Sequence, residues 1–237
     1  MAPKKPRVLL FDIDGTLLSA HGAGRHAFEQ AVSDFLGRPT RLEFSFAGGT
    51  DRGLARRALS IFGEESPDSA IDAILEIYVN HLGRLLQEES EYTVFSGVQE
   101  ILDELRLRQS QAKKEMLALG LGTGNVELGA RLKLTRGGLN DYFSFGGFGC
   151  DAEDRAELIR IGATRGAQLL GLAMDHCEVL VIGDTALDIA AAKAIGAQCL
   201  AVATGSVSFD ELQAHQPTYC VADLTAPLAR QILLDGS

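Results

Sequence analysis

The chain has few basic residues for its length. Among 237 residues, 22 are Lys or Arg and 32 are Asp or Glu, which gives a formal net charge of -10. Non-specific nucleic-acid binding depends on Lys and Arg that neutralise phosphates, so we do not expect nucleic acid as a partner. An acidic surface also offers no general attraction for anionic small molecules. Any anion site therefore has to be built locally, from backbone N–H groups, a few cations or a metal.

Long hydrophobic runs and closely paired cysteines are also missing. No apolar stretch approaches the roughly 20 residues of a membrane span, so we expect no membrane partner. The apolar run behind the basic N-terminus is too short for a signal-peptide core. The four cysteines form no C-x-x-C pair, and three of them lie in or beside apolar segments. These features predict buried, reduced thiols in a cytoplasmic protein.

Two carboxylates follow the first apolar run of the chain. Residues 8–12 predict a strand buried on both faces, and Asp12 and Asp14 come at its end. Because side chains alternate along an extended chain, both acids point the same way, about 7 Å apart. Unpaired buried charge is costly, so the pair indicates a bound cation or a role in proton transfer. The alternative is that both acids are solvated loop residues.

Strands and helices alternate in the second part of the chain. We predict strands at 116–121, 142–148, 178–182, 198–203 and 219–222, with helices between them. This alternation is typical of βαβ units in a three-layer, Rossmann-like α/β domain with a parallel sheet. We therefore predict an α/β core formed by residues 1–17 and 94–237.

Residues 18–93 contain helical patterns and no convincing strand. We predict helices at 24–36, from Asp51 to about residue 62, and from 67 to about 89. Connections of this length are uncommon in compact domains unless they have a function. Since the segment directly follows the two acids, we predict an inserted helical cap, or lid, over a site there. The alternative is a helical subdomain without a role in the site.

Polar residues also end two later strands. Thr123 lies between Gly122 and Gly124, and Asp184 and Asp188 are four residues apart where a helix begins. Ligands of open α/β sheets bind beyond the carboxyl ends of the strands. If these strands neighbour the first one, four acids converge and require a hard cation with oxygen ligands, for which Mg²⁺ fits best. Mg²⁺ suits phosphoryl chemistry. Taken singly, each segment could instead be a plain turn or a helix cap.

These segments resemble the motifs of a known family. Asp12-Ile13-Asp14-Gly15-Thr16, Thr123-Gly124-Asn125 and Gly183-Asp184-Thr185-Ala186-Leu187-Asp188 are similar to motifs I, II and IV of the haloacid dehalogenase-like hydrolase superfamily. The insertion, with Gly49-Thr50-Asp51, resembles the small cap of its phosphoglycolate phosphatase-like branch. The resemblance implies a phosphatase that acts on a small-molecule phosphate ester with Mg²⁺ as cofactor, and phosphoglycolate is the leading substrate.

The resemblance also implies roles for the acids. Asp12 would attack phosphorus and become an aspartyl phosphate, while Asp14 would protonate the leaving alcohol and then deprotonate the attacking water. Asp12, the backbone carbonyl of Asp14, and Asp184 would hold Mg²⁺, with Asp188 in support. A carboxyl group that both gives and takes a proton needs a pKa near the working pH.

Substrate contacts are implied on both sides of the site. Thr123, with Gly124 and Asn125, would bind the phosphoryl oxygens. In the cap, Thr50 and Arg52 could contact a substrate carboxylate, although Arg52 could equally lie on a solvated face. These contacts would select the substrate.

The third motif of the family is the weakest match. It should supply one Lys or Arg between motifs II and IV, commonly in a Lys-Pro pair, and no Lys-Pro occurs there. Arg155 is the first candidate and Lys133 the second. An Arg would neutralise phosphate charge and could do so bidentately.

Two alternative functions stay open at this point. A phosphomutase of the same fold would return the phosphoryl group to a sugar, and the motifs do not distinguish it. A non-catalytic phospho-acceptor or interaction protein should keep Asp12 but has no need of Asp14. The presence of both acids favours the enzyme.

Overall fold

Strands and helices alternate along most of the chain, for which the computed structural model describes residues 5–88, 91–110 and 116–236. The strands are β1 (Arg7–Phe11), β2 (Leu18–Ser19), β3 (Thr93–Val94), β4 (Leu117–Gly122), β5 (Gly146–Gly147), β6 (Glu178–Gly183), β7 (Gln198–Val202) and β8 (Tyr219–Val221). The helices are α1 (Ala23–Leu36), α2 (Asp51–Ile61), α3 (Asp68–Glu88), α4 (Val98–Ser110), α5 (Glu127–Arg136), α6 (Arg155–Leu169), α7 (Ala186–Ala194), α8 (Phe209–Ala214) and α9 (Pro227–Arg230). The expected end of the long helix at residue 89 lies outside the described residues.

Six strands form one parallel sheet in the order β5-β4-β1-β6-β7-β8. Side chains of β1 alternate between the two faces, with Leu9 and Phe11 in one apolar cluster and Val8 and Leu10 in the other. The first cluster includes residues of α1–α5 and α9, and the second includes residues of α6, α7 and α8. The predicted three-layer, Rossmann-like α/β fold is confirmed.

The sheet order brings the motif-bearing strands together. β4 and β6 pair with β1 on its two sides, in parallel register along its whole length. The carboxyl ends of all three strands therefore meet at one edge of the sheet. In open parallel sheets, ligands bind at the edge formed by the carboxyl ends of the strands.

Residues 18–93 contain more than helices. β2 and β3 pair antiparallel at the two ends of the segment, with Leu18 opposite Val94 and Ser19 opposite Thr93. Two-residue strands are too short to produce an alternating pattern, so the sequence does not reveal them. Between these strands, α1 packs against α3, and α3 packs against α5 of the sheet domain.

One predicted strand differs from the observed structure. The strand expected at 142–148 is a 3₁₀ turn at Asn140–Tyr142 followed by the two-residue β5. The glycines of β5 let the backbone lie against α6, since a Cβ at Gly147 would overlap the carbonyl oxygen of Leu158. Helix α6 begins at Arg155, because the Asp154 carboxylate caps it by accepting a hydrogen bond from the backbone N–H of Glu157 at 2.9 Å.

The cysteines are free but less buried than expected. Cys199 is buried in the sheet, Cys177 and Cys220 are half-buried, and Cys150 is exposed. Within the described ranges, no helix combines the length and the apolar character that crossing a membrane requires.

Two glycines give a matched test of this packing. Gly147→Ala should lower the free energy of unfolding by about 1–3 kcal/mol or more, because the added methyl group meets backbone that cannot give way. Gly83→Ala should raise it by up to about 1 kcal/mol, because a Cβ there meets only a side chain of α5, Leu132, at 3.7 Å and alanine favours the helix. Urea unfolding measures both, and equal effects of the two substitutions would contradict the close β5–α6 contact.

Candidate active site

A cavity of about 570 Å³ lies at the edge where β1, β4 and β6 end. Its lining combines residues of the sheet domain and of the segment 18–93. Among the residues selected from the sequence, those that line it are Asp12, Asp14, Thr123, Gly124, Asn125, Lys133, Arg155 and Asp184. Asp12 and Asp184 thus line the same cavity, although they are 172 positions apart in the sequence.

The guanidinium of Arg155 joins two buried carboxylates. Its Nη2 donates to Asp12 Oδ2 at 2.8 Å and to Asp188 Oδ1 at 2.6 Å, and its Nε donates to Asp188 Oδ1 at 2.9 Å. Burial disfavours the charged guanidinium, but Asp188 and Asp12 raise the pKa of Arg155 above its ordinary value. Burial raises the pKa of Asp12, against the opposing effect of Arg155. Arg155 therefore stays charged and fixes the orientation of Asp12.

Asp188 has a structural role beside this ion pair. Its Oδ2 accepts hydrogen bonds from the backbone N–H and the hydroxyl of Thr185, which forms a capping box at the start of α7. Both oxygens of Asp188 therefore have partners. Asp188 supports the site from behind, since it is fully buried and does not line the cavity.

Asp184 has one carboxylate oxygen without a protein partner. Thr16 donates its hydroxyl to Asp184 Oδ1 at 3.1 Å, and no described residue donates to Oδ2. The carboxylate lies between two glycines, because a Cβ at Gly15 or Gly205 would overlap it. Burial, followed by the charges of Asp12 and Asp188, raises the pKa of Asp184 to about 8. This is a buried acid that lacks a counterion.

These residues fit a divalent cation. One carboxylate oxygen from each of Asp12, Asp184 and Asp188 lies within 4.8 Å of the others. Among the described residues, the ion-pair partners of these three acids and of Asp14 are Arg155 and Lys133. A divalent ion would neutralise the excess charge, and carboxylate oxygens are the ligands that Mg²⁺ prefers.

Asp14 belongs to a second, separate network. Its Oδ2 accepts from Lys133 Nζ at 2.6 Å and from Asn125 Nδ2 at 2.8 Å, and Lys133 also donates to Asn125 Oδ1 at 2.7 Å. The Asp14 side chain is 47% exposed, whereas that of Asp12 is 8% exposed. The two acids of the first motif therefore face different partners and different amounts of solvent.

Thr123 has a proton free to donate. Its hydroxyl oxygen accepts hydrogen bonds from the backbone N–H of Asn125 at 3.3 Å and from Asn125 Nδ2 at 2.9 Å. The O–H can therefore donate to a ligand in the cavity. The backbone N–H of Thr123 is occupied by the carbonyl of Gly147, at 3.0 Å, and does not point to a ligand.

The structure does not bring Thr50 and Arg52 to the cavity lining. The Thr50 hydroxyl caps α2 and donates to the carbonyl of Glu153 at 3.0 Å. The guanidinium of Arg52 pairs with Asp68 and Asp72 of α3. The prediction that these two residues bind substrate gains no support from their positions.

Asp51 and Tyr78 line the cavity without having been selected from the sequence as site residues. Thr50 is the N-cap of α2, and Asp51 is its first residue. Tyr78 lies among the buried residues of α3. Burial raises the pKa of Asp51 to about 7, although Lys133 acts to lower it. No local sequence signal separates these residues from ordinary capping and core positions.

Comparison with known proteins identifies the family. A model of the haloacid dehalogenase-like hydrolases matches residues 6–196. The chain belongs to this family of hydrolases. The resemblance of the three motifs is thus confirmed at the level of the family.

Individual relatives agree with this assignment. A phosphoglycolate phosphatase of Pseudomonas aeruginosa is 27% identical over 235 residues, which cover 94% of this chain and 79% of that protein. A 5'-nucleotidase of the same organism is 49% identical over 63 residues, only 27% of each chain. Among solved structures, a β-phosphoglucomutase of Clostridium difficile has a TM-score of 0.69 at 16% identity, covering 97% of this chain and 94% of that one. At that identity the likeness concerns the fold alone.

The raised pKa of Asp184 predicts how the metal-free protein responds to pH. Between the ordinary value of 3.8 and about 8, the folded state holds a proton that the unfolded state has released. Stability therefore falls as pH rises through this window. With chelator, the melting temperature of the wild type should fall from pH 5 to pH 8 more steeply than that of Asp184→Asn, and Mg²⁺ should reduce the fall in the wild type.

The control is Asp175→Asn, because the side chain of Asp175 is 79% exposed. This variant should follow the wild type with and without Mg²⁺. Parallel melting curves for wild type and Asp184→Asn would contradict the assignment of a buried, uncompensated acid at this position.

Proposed function

We propose that the protein is a Mg²⁺-dependent phosphatase that hydrolyses a small-molecule phosphomonoester through an aspartyl-phosphate intermediate. The observation that supports this most is the different setting of the two motif I acids. Asp12 is buried and held in position by Arg155, which suits a nucleophile, and Asp14 is half-exposed, so that it can exchange protons with solvent while Lys133 and Asn125 fix its position.

The proposed reaction has two displacements at phosphorus. A carboxylate oxygen of Asp12 attacks the ester phosphorus, the bond from phosphorus to the alcohol oxygen breaks, and Asp14 gives its proton to that oxygen. Water then attacks the aspartyl phosphate and passes a proton to Asp14, the bond to Asp12 breaks, and inorganic phosphate leaves. The Thr123 hydroxyl donates to a phosphoryl oxygen in both steps.

The metal would be held by Asp12, Asp184 and the backbone carbonyl of Asp14, with Asp188 in support. When bound, Mg²⁺ supplies positive charge that neutralises the phosphoryl group and the surrounding carboxylates. We assign the role of the third-motif cation to Arg155, because it contacts the nucleophile, and a positioning role to Lys133, because it contacts the proton donor.

We propose that residues 18–93 act as a cap that closes the cavity. Arg155 Nη1 donates to the Gly48 carbonyl at 3.0 Å, and the backbone N–H of Asp51 donates to the Gly124 carbonyl at 2.8 Å. A Cβ at Gly124 would overlap the Gly49 carbonyl oxygen, so the two loops lie in direct contact. These contacts keep water out of the phosphate side of the cavity.

Phosphoglycolate is the substrate candidate that sequence similarity supports, because a relative named for it matches over most of the chain. The phosphomutase alternative stays a prediction, since the fold-level likeness to β-phosphoglucomutase does not distinguish the two reactions. Release of phosphate from a panel of esters that includes phosphoglycolate and glucose 1-phosphate tests hydrolysis, whereas conversion of glucose 1-phosphate to glucose 6-phosphate tests the phosphomutase.

Asp12→Asn should lower phosphate release from every ester in that panel by roughly a thousandfold or more, because the covalent route is lost. Excess chelator should abolish release by the wild type, and Mg²⁺ should restore it. Asp175→Asn is the matched control and should keep full activity. Release by Asp12→Asn at the rate of the wild type would contradict the proposed nucleophile.

Asp14→Asn should show a dependence on the leaving group. The loss in kcat/KM should be about 100-fold or more for an alkyl phosphate, whose alkoxide needs a proton, and about tenfold smaller for p-nitrophenyl phosphate, whose leaving group does not. Since the variant also lacks the base for the second step, rapid mixing should show a burst of nitrophenolate. Equal losses for both esters would argue against proton donation by Asp14.

A further inference from the structure

Tyr78 lines the cavity, and its hydroxyl has no hydrogen-bond partner among the described residues. The residue is 2% exposed. Its ring packs edge-on against Phe28, with the centroids 5.3 Å apart, so the side chain is fixed in position. A buried phenol usually has a partner. The position of Tyr78 at the cavity indicates that a ligand supplies the partner of its hydroxyl.

Asp51 adds a second polar group of the same kind. It is 7% exposed and lines the same cavity. Its Oδ2 accepts from the backbone N–H of Val126 at 2.8 Å, whereas no described residue donates to Oδ1. One carboxylate oxygen therefore remains as an acceptor at the cavity wall.

Both groups lie on the side of the cavity where the alcohol leaves. The absence of a side chain at Gly24 opens a small space there, because a Cβ would lie 3.3 Å from Lys133 Nζ and 3.9 Å from Tyr78 Oη. Lys133 in turn holds Asp14, the proposed proton donor to the alcohol. Asp51 is hydrogen-bonded to Gly124 and Val126, the neighbours of Asn125, which is the other partner of Asp14. Tyr78 and Asp51 therefore both lie beside the space next to the ester oxygen.

We propose that Tyr78 and Asp51 form a subsite for a hydroxyl group on the leaving alcohol, so that the preferred substrate is a phosphate ester of a polyhydroxylated alcohol. A substrate hydroxyl can donate to Asp51 Oδ1 and accept from Tyr78 Oη, which satisfies both groups at once. The inference rests on the proposed phosphatase function and defines its substrate class.

A substrate carboxylate fits this subsite poorly. A carboxylate has no proton to donate to Asp51. Arg25 also lines the cavity, but its guanidinium donates to the carbonyls of Leu42 and Phe44 and stacks on Phe46. Lys133 is likewise committed to Asp14 and Asn125. Tyr78 and Asp51 therefore match a hydroxyl group of the alcohol and do not match a second anion.

Binding of hydrolysis-resistant phosphonates tests the subsite apart from catalysis. The probes are 3,4-dihydroxybutylphosphonate, which mimics glycerol 3-phosphate, and butylphosphonate, which lacks both hydroxyls. With Mg²⁺ present, calorimetry should give a Kd for the wild type about tenfold lower for the diol than for butylphosphonate. In Tyr78→Phe and in Asp51→Asn, which keeps an oxygen for Val126, this preference should fall to about threefold or less.

Butylphosphonate should bind all variants within about twofold, because it does not use the subsite. The control is Tyr219→Phe, since Tyr219 lies on the far edge strand β8 and outside the cavity lining. It should keep the wild-type preference for the diol. A purely structural role for Tyr78 or Asp51 would weaken both probes equally and would overturn the proposal.

Turnover distinguishes the sources of the hydroxyl group. We expect kcat/KM for glycerol 3-phosphate, ribose 5-phosphate or adenosine 5'-monophosphate to exceed that for phosphoglycolate and n-propyl phosphate. The highest of these three values identifies the class of alcohol that bears the hydroxyl group. A higher value for phosphoglycolate would overturn the inference while the phosphatase function stands. A diol preference in binding without release of phosphate from any ester would support the subsite and refute the phosphatase function.

Discussion

The ion pair of Arg155 with Asp12 and Asp188 is the contact on which the site depends. Each of these three buried charged groups would be costly to bury alone, and removal of Arg155 would leave both carboxylates without their cation. The same guanidinium donates to the Gly48 carbonyl. One side chain of α6 thereby holds the end of β1, the start of α7 and a loop of the inserted segment in one arrangement.

Around this contact, the protein gives two neighbouring carboxylates opposite environments. Asp12 is enclosed and tied to a permanent cation, whereas Asp14 keeps contact with solvent beside Lys133 and Asn125. Two acids of one type can take different roles when their surroundings differ in this way. The remaining excess of negative charge, concentrated at Asp184, is what suits the site to a divalent cation.

The two parts of the chain contribute different sides of the cavity. The loops after β1, β4 and β6 supply the acids and Thr123, and the start of α6 supplies Arg155; in the proposed reaction these groups contact the phosphoryl group. The inserted segment supplies Tyr78 and Asp51, to which we assign the leaving alcohol. In this proposal the sheet carries the groups that act on phosphorus, and the insertion distinguishes one substrate from another.

The sequence by itself determined the parallel α/β fold and the acids at the strand ends, because a buried strand followed by Asp12 or Asp184 is a local pattern. The tertiary structure decided which cation meets which acid, since Arg155 and Asp12 are 143 residues apart, and Lys133 and Asp14 are 119 apart. It also paired Arg52 with Asp68 and Asp72 and placed Tyr78 at the cavity wall. Helical periodicity marks a face as apolar, but only the packing of α3 against α1 and α5 determines that the Tyr78 hydroxyl opens into a cavity.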